Sequence, residues 1–261
     1  MKTRPSRSSS QPAMSTEADA IGKMLNQFEI KKPADLTLEY WITCWEKQQI
    51  RFHLNNVHEM LKKHLDVLLN GRKEIRIFFP LCGKAVDMKW LADQGHTVVG
   101  VELSEIAVKQ FFTEQNLPYI QEPVPGMPGA DVFKTPEGQI SLFRCNIFDL
   151  SSLIAGQFDG IWDRGSLQPL NSSDRQRYSK LMITLMAKGC RYLLDTLVCT
   201  KSDFDGLPPK ISESETRNLF GHACNIQLLD SSGTLTGKQK LWGLESFIEE
   251  VHLITLKTDS S

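Results

Sequence analysis

The strongest constraint on this chain is a change of texture near residue 75, after which short β-branched or aromatic runs alternate with stretches of helical spacing. Ile75-Arg76-Ile77-Phe78-Phe79, stopped by Pro80, reads as a strand. Met88–Gln94 reads as a helix stopped by Gly95, and His96–Val101 as a second strand ending at Glu102. Ser104 can cap a helix that runs to about Gln115. Residues 116–138, rich in Pro and Gly, read as a loop with at most a short hairpin. Strands follow at Ile140–Arg144 and Phe158–Trp162. A helix at Ser173–Lys188 then carries Tyr178, Leu181, Met182 and Leu185 on one face, and Arg191–Val198 is a fifth strand. Ser212 and Glu215 have capping-box spacing before a short helix closed by Gly221, and Ile226–Leu229 and Val251–Leu256 complete the strand candidates. Strands alternating with helices predict an α/β fold, a mostly parallel sheet with helices on both faces. A ligand then belongs beyond the carboxyl ends of the strands, where the strand order reverses.

Upstream of the sheet, Leu38, Trp41, Trp45 and Phe52 suggest an amphipathic helix and the loop leaving it. A second helix is expected from about Asn56 to Leu69, with Met60, Leu61, Leu65 and Leu68 inward and Gly71 as its stop. The run Met1–Met14 lacks such a pattern. Lys2, Arg4 and Arg7 lie among serines with Pro5 and Pro12, and a disordered tail is expected over 1–35, with one domain over 36–261. A transit peptide is Arg- and Ser-rich in the same way, but the two prolines and the missing apolar face oppose that reading.

Composition narrows the function. With 30 Lys+Arg against 31 Asp+Glu, no strong field draws in nucleic acid or an anionic membrane, and no apolar run approaches the roughly 20 residues of a membrane helix. The six cysteines are scattered without a C-x-x-C pair, which fits a reducing compartment better than a metal site or a disulfide framework. The six histidines are equally dispersed, and neither a Ser/His/Asp trio nor a G-x-S-x-G elbow is present.

Four strand ends therefore carry the candidate chemistry. In Pro80-Leu81-Cys82-Gly83-Lys84 only one glycine stands where a dinucleotide site wants three, which argues against a pyrophosphate and a nicotinamide enzyme. Taken alone, Gly83 reads as a plain turn residue. Glu102 ends its strand nineteen residues later, where an acid accepts hydrogen bonds from the two ribose hydroxyls of a nucleoside, or is simply solvated. Cys145-Asn146-Ile147-Phe148-Asp149 could offer an amide and an apolar surface to an adenine ring, or form a capped turn. Trp162-Asp163-Arg164-Gly165-Ser166 puts an acid, a guanidinium and a glycine at one strand end, as a reacting centre or as a surface ion pair.

The wording of these segments is similar to one family. Leu36-Thr37-Leu38-Glu39-x-Trp41-x-x-x-Trp45, Phe78–Ala85, Met88-Lys89-Trp90, Val98–Glu102, Phe111–Leu117 and Ile161–Gly165 resemble the thiopurine S-methyltransferases of vertebrates, over about Leu36 to Lys257. The resemblance implies the Rossmann-like, seven-stranded methyltransferase fold, S-adenosylmethionine as cofactor, a small-molecule thiol as acceptor, and a cytosolic monomer as the usual form. It implies that the cofactor lies against Trp41, Trp45, the loop to Phe52, Leu81, Glu102, Asn146, Ile147 and Arg164, with Gly83 in the same loop. Phe52 and Arg164 would also face the acceptor. Two departures bear on that acceptor. The 200–212 loop keeps Pro208-Pro209 but reads Lys210-Ile211 where the family has aromatics, and Lys238 stands where the family has an acceptor-binding arginine. They leave open an aliphatic thiol or a selenium compound as acceptor, or a non-catalytic cofactor-binding relative.

Overall fold

The computed structural model describes residues 36–50, 52–200, 211–233 and 245–258. Residues 1–35, Lys238 and most of the 200–212 loop lie outside the described residues.

The first helix, α1 (Leu38–Glu46), starts where the Thr37 side chain accepts a hydrogen bond from the Tyr40 N–H, and leaves Phe52 on the loop beyond. The helix expected over 56–69 is instead two short ones, α2 (Glu59–Lys63) and α3 (Leu65–Leu69). It begins late because His58 is extended, with its own N–H committed to Asp87 Oδ1 at 2.8 Å. The strands β1 (Arg76–Phe79) and β2 (Thr97–Glu102) flank α4 (Asp87–Ala92), and Ser104 caps α5 (Glu105–Glu114).

Residues 116–138 differ from the loop reading. They form a hairpin, β3 (Ile120–Pro123) and β4 (Asp131–Lys134), which joins the sheet by antiparallel pairing of β4 with β5 (Ile140–Arg144). β3 and β4 are four residues each, and β3 is exposed throughout, so neither has the apolar alternation that marks a strand in sequence. After a 3₁₀ turn at Ile147–Asp149 come α6 (Ser152–Ala155), β6 (Phe158–Arg164) and α7 (Ser172–Leu185). β7 (Met186–Thr200) begins five residues before the expected strand. Ser212 caps α8 (Glu213–Phe220) as expected, but the Glu215 carboxylate turns to Arg175 at 2.6 Å instead of back to the cap. The chain closes with β8 (Cys224–Ser232) and β9 (Ser246–Leu256).

The sheet order is β3-β4-β5-β2-β1-β6-β7-β9-β8, nine strands where seven were expected. β5, β2, β1, β6 and β7 are parallel, and β9 is antiparallel between β7 and β8. Without the β3–β4 hairpin these are the seven strands of the expected fold. Side chains alternate between two apolar layers. Phe78, Val99, Val101, Ile161, Tyr192 and Leu194 meet α7 and α8 on one face. Ile77, Phe79, Val98, Trp162 and Leu193 meet α2 to α5 on the other. The order reverses between β1 and β6, so the ends of β1, β2, β6 and β7 surround the switch point.

Candidate active site

The loop leaving β1 is held open by backbone geometry. Leu81 adopts φ +43° and Gly83 φ +52°, a region costly for residues with a Cβ. The Cys82 N–H is tied to the Val101 carbonyl at 2.9 Å, and the Pro80 carbonyl accepts the Ser166 hydroxyl at 2.9 Å. Gly100 on β2 makes room for the turn, since a Cβ there would stand 2.7 Å from Cys82 Sγ.

Glu102 closes the other side. It is 7% exposed, and its Oε2 accepts the Gly83 N–H at 2.9 Å while its Oε1 accepts the Ser104 N–H at 2.8 Å. Burial pushes its carboxyl above the ordinary value, opposed by the N–H groups of Ser104, Gly83 and Leu103. Two oxygens offer about four lone-pair sites, so the carboxylate keeps capacity for a further donor beyond these amides. A vicinal diol suits that remainder; a second anion does not.

An aromatic cover lies over this loop. A Cβ on Gly83 would stand 3.0 Å from Trp45 Cζ2, so the indole rests almost on the glycine backbone. Trp45 is 3% exposed, and Phe52, 40% exposed, meets Trp41 and Trp45 edge-on at 5.7 and 5.8 Å between ring centroids. The cover is fastened to the sheet by Arg164, whose Nη1 donates to the Phe52 carbonyl at 2.6 Å. The expected residues Trp41, Trp45, Phe52, Gly83, Glu102 and Arg164 are thus joined by direct contacts from α1 to the ends of β1, β2 and β6.

The adenine candidates stand next to Glu102 through the backbone, the Cys145 N–H donating to the Glu102 carbonyl at 3.1 Å. Asn146 Oδ1 caps the 3₁₀ turn by accepting the Phe148 N–H at 3.1 Å, which leaves its NH₂ as the outward group. Ile147, 3% exposed, packs into the apolar layer under the sheet.

Asp163 does not join Arg164. It faces the opposite side of β6, fully buried, where its Oδ2 accepts the Tyr178 hydroxyl at 2.6 Å and the Tyr192 hydroxyl at 2.5 Å. The acid of the Asp-Arg-Gly segment is therefore a core anchor, and the alternation along a strand explains it.

A second polar group went unread in the sequence. His58 Nε2 lies 3.1 Å from Glu249 Oε1 and 3.6 Å from Asp195 Oδ2, beside the end of β6. An acid inside the apolar run Leu193-Leu194-Asp195-Thr196-Leu197-Val198 was the available signal, since a charge in a buried strand demands a partner.

Residues 36–257 match the family described as thiopurine S-methyltransferase. The chain is 49% identical over 223 residues to the probable thiopurine S-methyltransferase of Danio rerio, covering 85% of this chain and 96% of that one. It is 48% identical over 229 residues to the thiopurine S-methyltransferase of Bos taurus, covering 88% and 94%. Among solved structures it resembles an S-adenosylmethionine-dependent methyltransferase from Anabaena variabilis, with a TM-score of 0.58, 13% identity, and 87% and 98% coverage. A Burkholderia thailandensis 1,6-didemethyltoxoflavin N1-methyltransferase gives a TM-score of 0.57 at 13% identity, with 95% and 94% coverage. At those identities the likeness is one of fold. The match over residues 36–257, with near-half identity to both sequence relatives, places the chain in the thiopurine S-methyltransferase family.

Proposed function

We infer that this chain is an enzyme that methylates the sulfur of small thiols with S-adenosylmethionine, heterocyclic thiols such as thiopurines among its acceptors. The observation that carries the reading is the buried Glu102 carboxylate, oriented by Gly83 and Ser104 and with acceptor capacity left for a ligand hydroxyl. It supports assigning Glu102 to the ribose hydroxyls, Leu81 and Gly83 to the adjoining backbone contacts, and Asn146 and Ile147 to the adenine. Trp41, Trp45 and Phe52 form the cover that excludes water, and Trp41 and Trp45 offer aromatic faces to the cofactor's cation, worth about 0.5–2 kcal/mol where desolvated.

The bound cofactor supplies an electrophilic methyl group on a sulfonium. What the protein adds is alignment, which can lower a barrier by roughly 7–11 kcal/mol. An acceptor thiol of low pKa is already a thiolate at neutral pH, so a strong general base is not required. Arg164 is assigned the catalytic contact, its guanidinium facing cofactor and acceptor together with Phe52. Lys238 is assigned to acceptor recognition; Lys238→Ala is expected to raise the acceptor KM and spare cofactor affinity.

The fold adds that no helix among the described residues is long and apolar enough to cross a membrane. We take the enzyme to be a cytoplasmic monomer, as the family resemblance implies, with no nucleic-acid partner, in keeping with its near-neutral balance of charge. Incubating the pure protein with labelled S-adenosylmethionine and a panel of heterocyclic, aromatic and aliphatic thiols tests the central reading. Labelled S-methyl products from the heterocyclic thiols are expected, and their absence with every thiol refutes it. Sedimentation at working concentration tests the monomer.

A further inference from the structure

Arg164 does not stand alone on its face of the sheet. Its register partner on β7 is Asp195, and parallel partners point to the same side. Two residues along and one strand over, Glu249 of β9 shares that side, since Asp195 pairs with Val251. His58 comes down onto the three from the turn before α2, its ring 5.5 Å from Trp162.

The hydrogen-bond bookkeeping of this group is unusual. Asp195 is 3% exposed, and among the described residues neither carboxylate oxygen meets a donor within hydrogen-bond geometry. The Met60 N–H donates to His58 Nδ1 at 3.3 Å, so that nitrogen carries no proton, and Nε2 presents its N–H to Glu249 at 3.1 Å. A buried carboxylate and a half-buried one that share a single imidazole cannot both be ionised cheaply. A divalent metal is the obvious remedy, but the Nε2–H points at the place such an ion needs, and Arg164 already supplies positive charge. One proton shared between the carboxylates satisfies the site.

We propose that His58, Asp195 and Glu249 are a positioning cluster for Arg164, in which a single shared proton keeps the guanidinium off the carboxylates and free to hold Phe52 and face the ligand. With Asp195 protonated, the carboxyl in register with Arg164 is neutral and Arg164 keeps its bond to the Phe52 carbonyl. Once Asp195 ionises, the guanidinium is drawn down onto it into a two-pronged ion pair. The groups that set the balance are His58, Asp87, Asp163, Arg164 and Glu249. Burial first, then the charge of Glu249, push the Asp195 carboxyl well above the ordinary range, with Arg164 opposing. Burial would raise Glu249 as well, yet the His58 hydrogen bond leads the effects that leave it below its ordinary value. Glu249 has His58 Nε2 at 3.1 Å while neither Asp195 oxygen has a donor among the described residues, and this geometry assigns the shared proton to Asp195.

The inference rests on Arg164 being the ligand-facing cation, and kinetics of the whole enzyme test it separately from the activity itself. The acceptor is a heterocyclic thiol that is ionised throughout the pH range, so its own titration does not contribute. The wild-type kcat/KM is expected to fall on the alkaline side as Asp195 ionises. Asp195→Asn, which copies the protonated acid, is expected to stay within about threefold at pH 7 and to lose that alkaline fall. Glu249→Gln removes the neighbouring charge, lets Asp195 ionise at pH 7, and is expected to lose at least tenfold, recovering as the pH is lowered. The double variant regains most of that loss. S-adenosylhomocysteine affinity and melting temperature are followed in parallel. An Asp195→Asn profile superimposable on wild type overturns the proposal. So do losses that merely track melting temperature, or stabilisation of the wild type by zinc or manganese that Asp195→Asn abolishes. If the wild type methylates no thiol at all, it is the functional reading that has failed.

Discussion

The Gly83 amide donates to Glu102 Oε2 at 2.9 Å, joining the loop after β1 to the end of β2. With the Ser104 amide on Oε1, this bond fixes the carboxylate plane and leaves acceptor capacity for a ligand hydroxyl. Glu102→Ala is expected to weaken S-adenosylhomocysteine binding by about 1–3 kcal/mol, the cost of leaving paired hydroxyls unsatisfied. The pH dependence has a definite sign. The folded carboxyl lies above its ordinary 4.5, so ionised Glu102 weakens the ligand-free fold as pH rises from 4.5 through the folded value. Hydroxyl donors favour the ionised form, so affinity falls as pH drops through the same window. Calorimetry of wild type and Glu102→Gln across that window checks both claims, and equal pH profiles sink them.

Gly83→Ala tests the contact between loop and cover. The new methyl meets Trp45 at 3.0 Å, and φ +52° is strained for alanine. Cofactor affinity is expected to drop by at least tenfold and indole fluorescence to change, with the helices elsewhere intact by circular dichroism. Unchanged affinity would mean that Trp45 yields without consequence.

Much of this arrangement could be read from the chain, and the failures have physical causes. Strand ends were legible because buried strands such as Val98-Val99-Gly100-Val101 are short, apolar and punctuated. Glu102 was legible as the acid that follows one. The β3–β4 hairpin was not, because exposed strands of four residues are held by pairing with β5 rather than by their own pattern. Asp163 and Arg164 looked like one unit in sequence but face opposite ways, which only the strand reading separates. The meeting of His58, Asp195 and Glu249 spans three elements distant in sequence, and no spacing rule reaches that far.

Asp163 should matter for stability more than for binding. Tyr178→Phe removes one of the two hydroxyls held by a fully buried acid. A loss of about 1–3 kcal/mol is expected, or roughly 2–10 °C in melting temperature for a domain of this size. Cofactor affinity should stay within twofold. A variant with unchanged melting temperature would show that Tyr192 alone satisfies the acid.

The family match begins at residue 36, and α1 is capped by Thr37. A chain starting near residue 32 is expected to retain both melting temperature and turnover. Loss of either would make the tail part of the working enzyme.

Arg164→Lys separates charge from geometry at the centre of the site. The guanidinium has five N–H donors in a rigid fork, and one of them holds the Phe52 carbonyl at 2.6 Å. Lysine keeps the charge but cannot hold the cover and a ligand in one plane. The expected fall in kcat/KM is at least tenfold, about 1.4 kcal/mol of transition-state stabilisation. Because the lost contact includes the cover, cofactor affinity should weaken too, whereas Lys238→Ala should leave it alone and act on the acceptor KM. Steady-state kinetics with one neutral and one anionic thiol distinguish the two residues. If Arg164→Lys turns over both thiols at the wild-type rate, the guanidinium fork is not what aligns the reaction, and a positive charge at the end of β6 is sufficient.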